Sequence, residues 1–279
     1  MKYDGKPVSH FYKVWMQIIV LIRCYPSVIM PFFLWGLLDF LLLFCLFLLP
    51  GASLSAVVPA ASSMGKVAAV QYPAHLFHLP RLFLLAKDFF GLFAGALFIG
   101  TTVFMIAQAS QGKRPMWAPG ARKVIRRYAR YTAIWAIILL ASLLIIRAAG
   151  SVNLGGSPRL IQGLLGFIGV AVMQMLFVFS IPALMIENKK IVASLRRSVA
   201  LFKEYRIAMV MLVGIPYAFA LPLLYAYSEA DHLAERFTPL AILYILGVRI
   251  LVLAIIDFFV ISSATVLLLQ RRELEKNKT

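Results

Sequence analysis

Three charged residues, Asp39, Arg249 and Asp257, lie within long apolar runs of the sequence. A charge inside a membrane is costly unless it is paired or in contact with water. Asp39 and Arg249 lie at similar distances from the same membrane surface, so we predict that they pair. Asp257 follows Arg249 by about two helical turns, roughly 12 Å along the helix axis. The three residues suit either a proton or ion relay or structural pairing between the first and last helices, and pairing is the simpler interpretation.

Positive charge is concentrated in the hydrophilic stretches between the apolar runs. In "KKIVASLRRSVALFKEYR", residues 189–206, the apolar residues Ile191, Leu195, Val199 and Phe202 recur at helical spacing. The basic residues take the other face, as in an amphipathic helix at the headgroup level of a membrane. A lead-in helix that packs against the bundle explains the same pattern. The residues expected to face lipid or a partner protein are Lys113, Arg114, Arg122, Lys123, Arg126, Arg127, Lys189, Lys190, Arg196, Arg197 and Lys203.

The remaining candidates for chemistry are few. His75 and His78 have the i, i+3 spacing with which one helical face can bind a metal ion, but no third ligand is near them in the sequence. The motifs of serine nucleophiles, phosphate-binding loops and zinc proteases do not occur in the sequence. We therefore predict no catalytic site, no metal and no cofactor.

Composition places these residues in a membrane protein. The chain has 279 residues, of which 62% are hydrophobic and 14% are charged. A soluble domain cannot cover so much apolar surface, and several runs exceed the ~18 residues that cross a bilayer. We predict one all-α membrane domain over residues 1–279, with the first apolar run retained as a span. The six predicted spans are residues 27–49, 89–108, 131–149, 160–186, 207–227 and 240–269, and the second has an alternative start near Leu82.

The orientation follows from how charge alternates between the gaps. The N-terminus, the gaps at residues 109–130 and 187–206, and the C-terminal tail hold nearly all of the formal net charge of +17. The positive-inside rule makes this side cytoplasmic, so both termini are predicted to be inside. A lead-in helix precedes the first, third and fifth spans, which predicts three units of one lead-in helix and one hairpin. This placement favours anionic lipid, rather than nucleic acid, as the partner.

Small residues predict where helices approach each other closely. Gly91 and Gly95 form a GxxxG pattern in the second span. Gly163, Gly166 and Gly169 recur at every third position of the fourth span. We expect both sets to lie at helix contacts.

Three prolines predict interruptions in the later spans. Pro182 lies near the end of the fourth span, and Pro216 and Pro222 lie in the fifth. Proline removes a backbone donor and clashes with the preceding turn, which kinks a helix. Such kinks are either static or points at which helices move.

The stretch "PALMIENKKIVASLRRSVALFKEYR" resembles a signature of bacterial multi-helix membrane proteins. In that signature a proline and an acidic residue end an apolar run, and an alanine, a basic residue and a serine follow in a helix before the next span. The matching residues here are Pro182, Glu187, Ala193, Arg197 and Ser198. "YKVWMQIIVLIRCYPSVIMPFFLW" and "GKRPMWAPGARKVIRRY" are similar to the start and the middle cytoplasmic turn of these proteins.

The family includes the YciC-like proteins and the membrane domain attached to some glycerophosphodiester phosphodiesterases. The resemblance implies six helices in the bacterial inner membrane. The sequence does not contain the phosphodiesterase catalytic domain, so that activity is not expected of it.

These features predict a non-catalytic inner-membrane module. It is expected to bind anionic lipid, a partner membrane protein, or both, through its basic cytoplasmic face. The alternative is a small transporter in which Asp39, Arg249 and Asp257 line a path. A membrane enzyme that acts on a lipid is a third interpretation.

Overall fold

The computed structural model describes residues 7–48, 75–151, 158–228 and 240–276, and every regular element in these ranges is a helix. A 3₁₀ turn (Pro26–Ile29) and two π-helical turns (Gly91–Gly95 and Val210–Gly214) join some of the α-helices. The α-helices are α1 (Pro7–Cys24), α2 (Met30–Leu48), α3 (His75–Phe90), α4 (Ala96–Ser110), α5 (Trp117–Ile125), α6 (Tyr128–Gly150), α7 (Pro158–Phe177), α8 (Ser180–Ile186), α9 (Ile191–Met209), α10 (Ile215–Ala218), α11 (Leu221–Ser228) and α12 (Ala241–Lys276).

Within the described residues, five helical segments are long and apolar enough to cross a membrane. They are Pro26–Leu48, Leu82–Ser110, Tyr128–Gly150, Ile161–Ile186 and Ala241–Lys276. Each overlaps one of the predicted spans. The chain is therefore an all-α, multi-pass membrane protein, as the composition predicts.

The predicted span at residues 207–227 is not one continuous helix. It consists of the end of α9, a π-helical turn, α10 and α11, with a further turn between α10 and α11. Pro216 and Pro222 explain the interruptions, because each lacks a backbone donor and its ring displaces the carbonyl four residues earlier. Pro182 lies just after a comparable break between α7 and α8. The helical path is thus interrupted near each of the three prolines.

The second span begins at the earlier of its two predicted starts. The helix α3 continues through residue 89, and the apolar segment begins at Leu82. Lys87 and Asp88 interrupt the apolar pattern just before residue 89, which is why the sequence leaves both starts open. Both charges therefore lie within a membrane-spanning segment.

Helices occupy the positions of all three predicted lead-in segments. They are α1 before the first span, α5 before the third and α9 before the proline-interrupted segment. The helix α1 ends because proline disfavours the helical conformation of the residue before it. Tyr25, which precedes Pro26, accordingly has φ −137° and ψ 69°.

The centre of the bundle is formed by α4 and α12. In the most apolar stretches of Leu82–Ser110 and of Ala241–Lys276, 61% of the residues are buried within the protein, against 22% for Tyr128–Gly150. The helix α12 packs against α1, α2 and α4. At the contact with α2, Phe258 meets Phe32 edge to face, with ring centroids 5.7 Å apart. The outer helices leave large apolar side chains on the surface, which suits contact with lipid.

Two of the predicted small-residue contacts are present in the second and fourth spans. Gly91 and Gly95 bound a π-helical turn, and a Cβ added at Gly95 would lie 3.1 Å from the Trp35 ring of α2. In α7, a Cβ at Gly169 would overlap the Cγ2 methyl group of Ile145 in α6. These glycines therefore allow the close approach that the pattern predicts.

Gly166 also lies at this contact, whereas no described atom lies close to Gly163. A Cβ at Gly166 would lie 3.8 Å from the Ile146 Cα atom, whereas at Gly163 it would meet nothing within 4 Å among the described residues. Of these three positions, the helices α6 and α7 pack most closely at Gly169. Three-residue spacing cannot reveal where along a helix a contact ends.

Replacing Gly169 by alanine should destabilise the protein by about 1–3 kcal/mol, because the new methyl group overlaps the stiff, β-branched Ile145. The matched control is Gly163→Ala, which should be neutral or stabilising by up to about 1 kcal/mol, since it removes backbone freedom without a clash. Thermal melting of both variants in detergent micelles measures the difference. Equal melting temperatures for the two variants would contradict the close α6–α7 contact.

Candidate functional site

Four segments that are distant in sequence meet at one end of the bundle. Gln270 of α12 donates a 2.7 Å hydrogen bond to Gln17 of α1. Arg272 Nη1 lies 3.4 Å from the carbonyl oxygen of Ile186, at the end of α8. Arg271 forms an ion pair of 3.1 Å with Glu204 of α9. We call this region the basic end, because it also carries most of the predicted basic residues, including those of α5.

Arg197 is the centre of an ion-pair network at the basic end. Its Nη2 atom lies 2.8 Å and 3.0 Å from the two carboxylate oxygens of Glu275 and 3.4 Å from Glu187 Oε1. Lys189 adds a 2.9 Å ion pair to Glu187, and Arg271 adds a 3.2 Å contact to Glu275. The network joins α9 to the C-terminal end of α12 and to the loop after α8.

The electrostatics of this network favour a charged Arg197. Partial burial opposes the charge, but the hydrogen bonds and charges of Glu275 and Glu187 outweigh it, and the pKa of Arg197 is raised above its ordinary value. The Glu187 side chain is only 10% exposed. A carboxylate this far from water depends on its cationic partners.

Local packing of α9 explains why Arg197 points inward. The neighbouring Ser198 is fully buried and donates a 2.7 Å hydrogen bond to the carbonyl oxygen of Leu176. That carbonyl belongs to the last turn of α7, just before the interruption between α7 and α8. The serine hydroxyl therefore satisfies a carbonyl at an interrupted helix end.

The inner face of α9 differs from the predicted apolar stripe. Its fully buried residues in the first three turns are Ser194, Ser198 and Leu201, whereas Ile191, Leu195, Val199 and Phe202 are only partly buried. Small serines allow α9 to lie close to its neighbours, so the apolar residues flank the contact. Arg197, which is expected from the sequence to face lipid or a partner protein, is partly buried and forms ion pairs within the network.

The other basic residues that are predicted to face lipid or a partner fall into two groups, one partly buried and one exposed. Lys123, Arg127 and Lys189 are partly buried. The predicted basic residues that are exposed are Lys113, Arg114, Arg122, Arg126, Lys190, Arg196 and Lys203. These seven side chains are available to an anionic surface.

The residues that carry the family resemblance have separate structural positions. Glu187, Arg197 and Ser198 take part in the contacts around the network. Pro182 is buried in α8, just after the helix break, and Ala193 is exposed on α9. The structure thus gives four of the five residues a packing or pairing role.

A second charged site lies within the bundle. Asp39, in the middle of the first span, forms an ion pair of 2.8 Å with Lys87. Its side chain is 8% exposed and that of Lys87 is 21% exposed. The prediction that Asp39 pairs with Arg249 is therefore wrong, because the cation that pairs with Asp39 is Lys87. The sequence pattern does not identify Lys87 as the partner, because Lys87 and Asp88 interrupt the apolar run before residue 89.

Further charges surround this pair. Lys87 and Asp39 both act electrostatically on Asp257, and Lys87 and Arg249 act on Asp88. The structure therefore brings α2, α3 and α12 together around several charges, as predicted for the first and last spans. Such a group can hold three helices together, or carry a proton or ion if water reaches it.

The histidines considered as metal ligands lie mostly outside the described part of the structure, so the predicted absence of a metal site stays a prediction. The side chains of His75 and His78, and all of His232, lie outside the described residues. In the ranges that the structure does cover, no group of three His, Cys, Asp or Glu residues is placed to hold a metal ion.

Comparison with protein-family models, with curated proteins and with solved structures gives no match to this chain. The resemblance to the YciC-like proteins therefore stays a prediction.

Proposed function

We propose that this protein is a non-catalytic module of the bacterial cytoplasmic membrane that binds anionic lipid through its basic end. In this proposal the chain crosses the membrane six times as three hairpins, with both termini in the cytoplasm. A partner membrane protein that uses the same surface is compatible with it. The observation that carries the proposal is the set of seven exposed cations at the basic end.

Two contacts support six spans. The interrupted segment from α9 to α11 packs against α12, and α6 packs against α7, as expected of hairpin partners. At ~1.5 Å per residue, residues 207–228 give a helical path of roughly 33 Å, which matches the hydrocarbon thickness of a bilayer. The Gln17–Gln270 contact brings α1 beside the last turns of α12, which supports an arrangement with both termini on the same side of the membrane.

Charge and packing together support lipid as the ligand. Basic side chains gain about 1 kcal/mol each near an anionic membrane surface. The exposed cations of α5 lie on a helix that leads into the membrane-length segment Tyr128–Gly150, and those of α9 precede the interrupted segment that we propose as the fifth span. They are thus expected at the level of the lipid headgroups, where a cationic side chain can reach a phosphate.

Neutralising four exposed cations, Arg122, Arg126, Arg196 and Lys203, to glutamine should reduce the preference for phosphatidylglycerol over phosphatidylcholine by at least about tenfold. The measurement is the number and affinity of each lipid retained by the purified protein in native mass spectrometry. Arg147→Gln is the control, because this exposed cation lies in the last turn of α6, away from the basic end. An unchanged lipid preference in the fourfold variant would refute the proposal.

Binding of a partner membrane protein to the basic end can be tested separately. Extraction of the protein with its native lipids in a polymer nanodisc would show a stoichiometric second protein if the basic end binds one. Enrichment of an anionic lipid without a second protein would favour lipid binding alone.

The alternative function is a small transporter that uses the intramembrane charges. The Asp39–Lys87 pair, with Asp257 within electrostatic range, is the observation that favours it. An Asp257→Asn variant that folds normally but loses a flux would support transport. Loss of folding would instead assign the charges to helix association.

A further inference from the structure

A cavity of about 220 Å³ lies at the basic end, between α4, α5, α8 and the C-terminal part of α12. Its polar wall contains Lys113, Lys123 and Arg272, with the amides of Gln108 and Gln111 beside them. No carboxylate lines it in the described part of the chain. Since one water occupies ~30 Å³ of the liquid, the cavity has room for a tetrahedral anion and the group attached to it.

The backbone fixes Lys113 beside this cavity. Helix α4 ends with Gly112 at φ +71°, a left-handed conformation that suits glycine. The N–H of Gly112 donates to the carbonyl of Ala109, and the N–H of Lys113 donates to that of Gln108, each at 3.0 Å. This paired capping pattern ends the helix and sets the direction of the next residues.

Close packing of α5 on α4 fixes Lys123. A Cβ at Gly100 would lie 2.8 Å from the Cγ2 methyl group of Val124, so the two helices are in direct contact there. Lys123 Nζ lies 5.2 Å from the centroid of the Phe104 ring. A cation over an aromatic face is held in place without its charge being neutralised.

The two lysines of the cavity lack the described ion-pair partners that other cations at the basic end have. Arg197 and Arg271 form ion pairs with glutamates, whereas no described carboxylate is within ion-pair distance of Lys113 or Lys123. Burial, followed by the charges of Arg127 and Arg272, lowers the pKa of Lys123. An anion in the cavity would offset this cost, because it places an opposite charge among the cations.

We propose that this cavity binds a phosphate group through Lys113, Lys123 and Arg272. The proposal rests on the lipid-binding function and adds one defined site to its diffuse charged surface. Phe104, Met185 and Leu269 form an apolar wall of the same cavity. The phosphate of a phospholipid headgroup and a free phosphate ion share the recognised chemistry, and the experiment separates them.

The test compares two variants that remove the same charges from the same residue type. Lys113→Gln/Lys123→Gln changes the cavity, and Lys13→Gln/Lys276→Gln changes two exposed lysines that belong neither to the cavity nor to the seven exposed cations. Inorganic phosphate is titrated into delipidated protein in a non-ionic detergent, with chloride at matched ionic strength as the reference. Phosphatidic acid in phosphatidylcholine nanodiscs is the second arm.

We expect saturable binding of phosphate, of phosphatidic acid, or of both, weakened about tenfold or more in the cavity variant and less than about twofold in the control. Response to inorganic phosphate identifies a free-phosphate site, and response to phosphatidic acid alone identifies a headgroup site. Equal weakening in both variants, or no saturable response in either arm, would overturn the proposal.

Two results keep the two proposals apart. If the cavity variant binds both probes normally while the fourfold exposed-cation variant loses its lipid preference, the cavity proposal fails and the lipid-binding function stands. If the double variant does not fold, Lys113→Gln alone supplies the test, because this residue is exposed and its side chain forms no ion pair with a described carboxylate.

Discussion

Replacing Lys87 by methionine should destabilise the protein by about 2–4 kcal/mol, because it leaves the Asp39 carboxylate inside the membrane without its cation. The reverse change, Asp39→Asn, should cost less, about 1–2 kcal/mol. Lys87 is the more exposed partner, and its long side chain can turn toward water once the carboxylate is gone. Unfolding in mixed micelles with increasing SDS measures both values.

The double variant gives the sharper result. Asp39→Asn/Lys87→Met removes both charges, so its stability should exceed that of Lys87→Met alone. Lys113→Met is the control for the residue type, since Lys113 is exposed and should change the stability by no more than about 0.5 kcal/mol. Additive losses in the double variant would mean that the two side chains do not stabilise each other.

Replacing Arg197 by alanine should cost about 2–3 kcal/mol and lower the melting temperature by roughly 5–10 °C. The loss follows from Glu187, which is nearly buried and would keep only Lys189 as a partner. Glu275 would lose its hydrogen bonds to Arg197, but it is 41% exposed and water can replace them in part. Arg197→Lys should be intermediate, since lysine keeps the charge but not the paired geometry of a guanidinium.

Arg196 is a matched control for this change. It is the same residue type at the adjacent position, but it lies about 100° around α9 and is exposed. Arg196→Ala should shift the stability by no more than about 0.5 kcal/mol. If the two alanine variants melt at the same temperature, the ion-pair network contributes nothing measurable to the fold.

The two largest expected effects concern two separate places in the bundle. Lys87 and Asp39 join α3 to α2, and both act electrostatically on Asp257 of α12. Arg197 joins the C-terminal end of α12 to α9. The cavity at the basic end lies next to the second of these places, with Arg272 in its wall. A bound phosphate would therefore contact the same end of α12 that the network holds.

The sequence by itself determines the class of this protein and most of its helices. Hydropathy and helical spacing depend on residues that are close together along the chain, so a stretch such as residues 27–49 can be recognised without its neighbours. The kinks at Pro182, Pro216 and Pro222 are equally local, because proline disrupts its own preceding turn. The concentration of charge in alternate gaps likewise requires only counting.

The pairing of charges was decided by tertiary structure alone. Asp39 takes Lys87 rather than Arg249, because a partner is chosen by the depth and rotation of packed helices, which are absent from a linear pattern. Arg196 and Arg197 look equivalent in the sequence, yet the small serines of α9 turn only Arg197 toward two glutamates. The phosphate cavity has the same origin, since its three cations come from a loop, α5 and α12, and only the packing of the bundle brings them together.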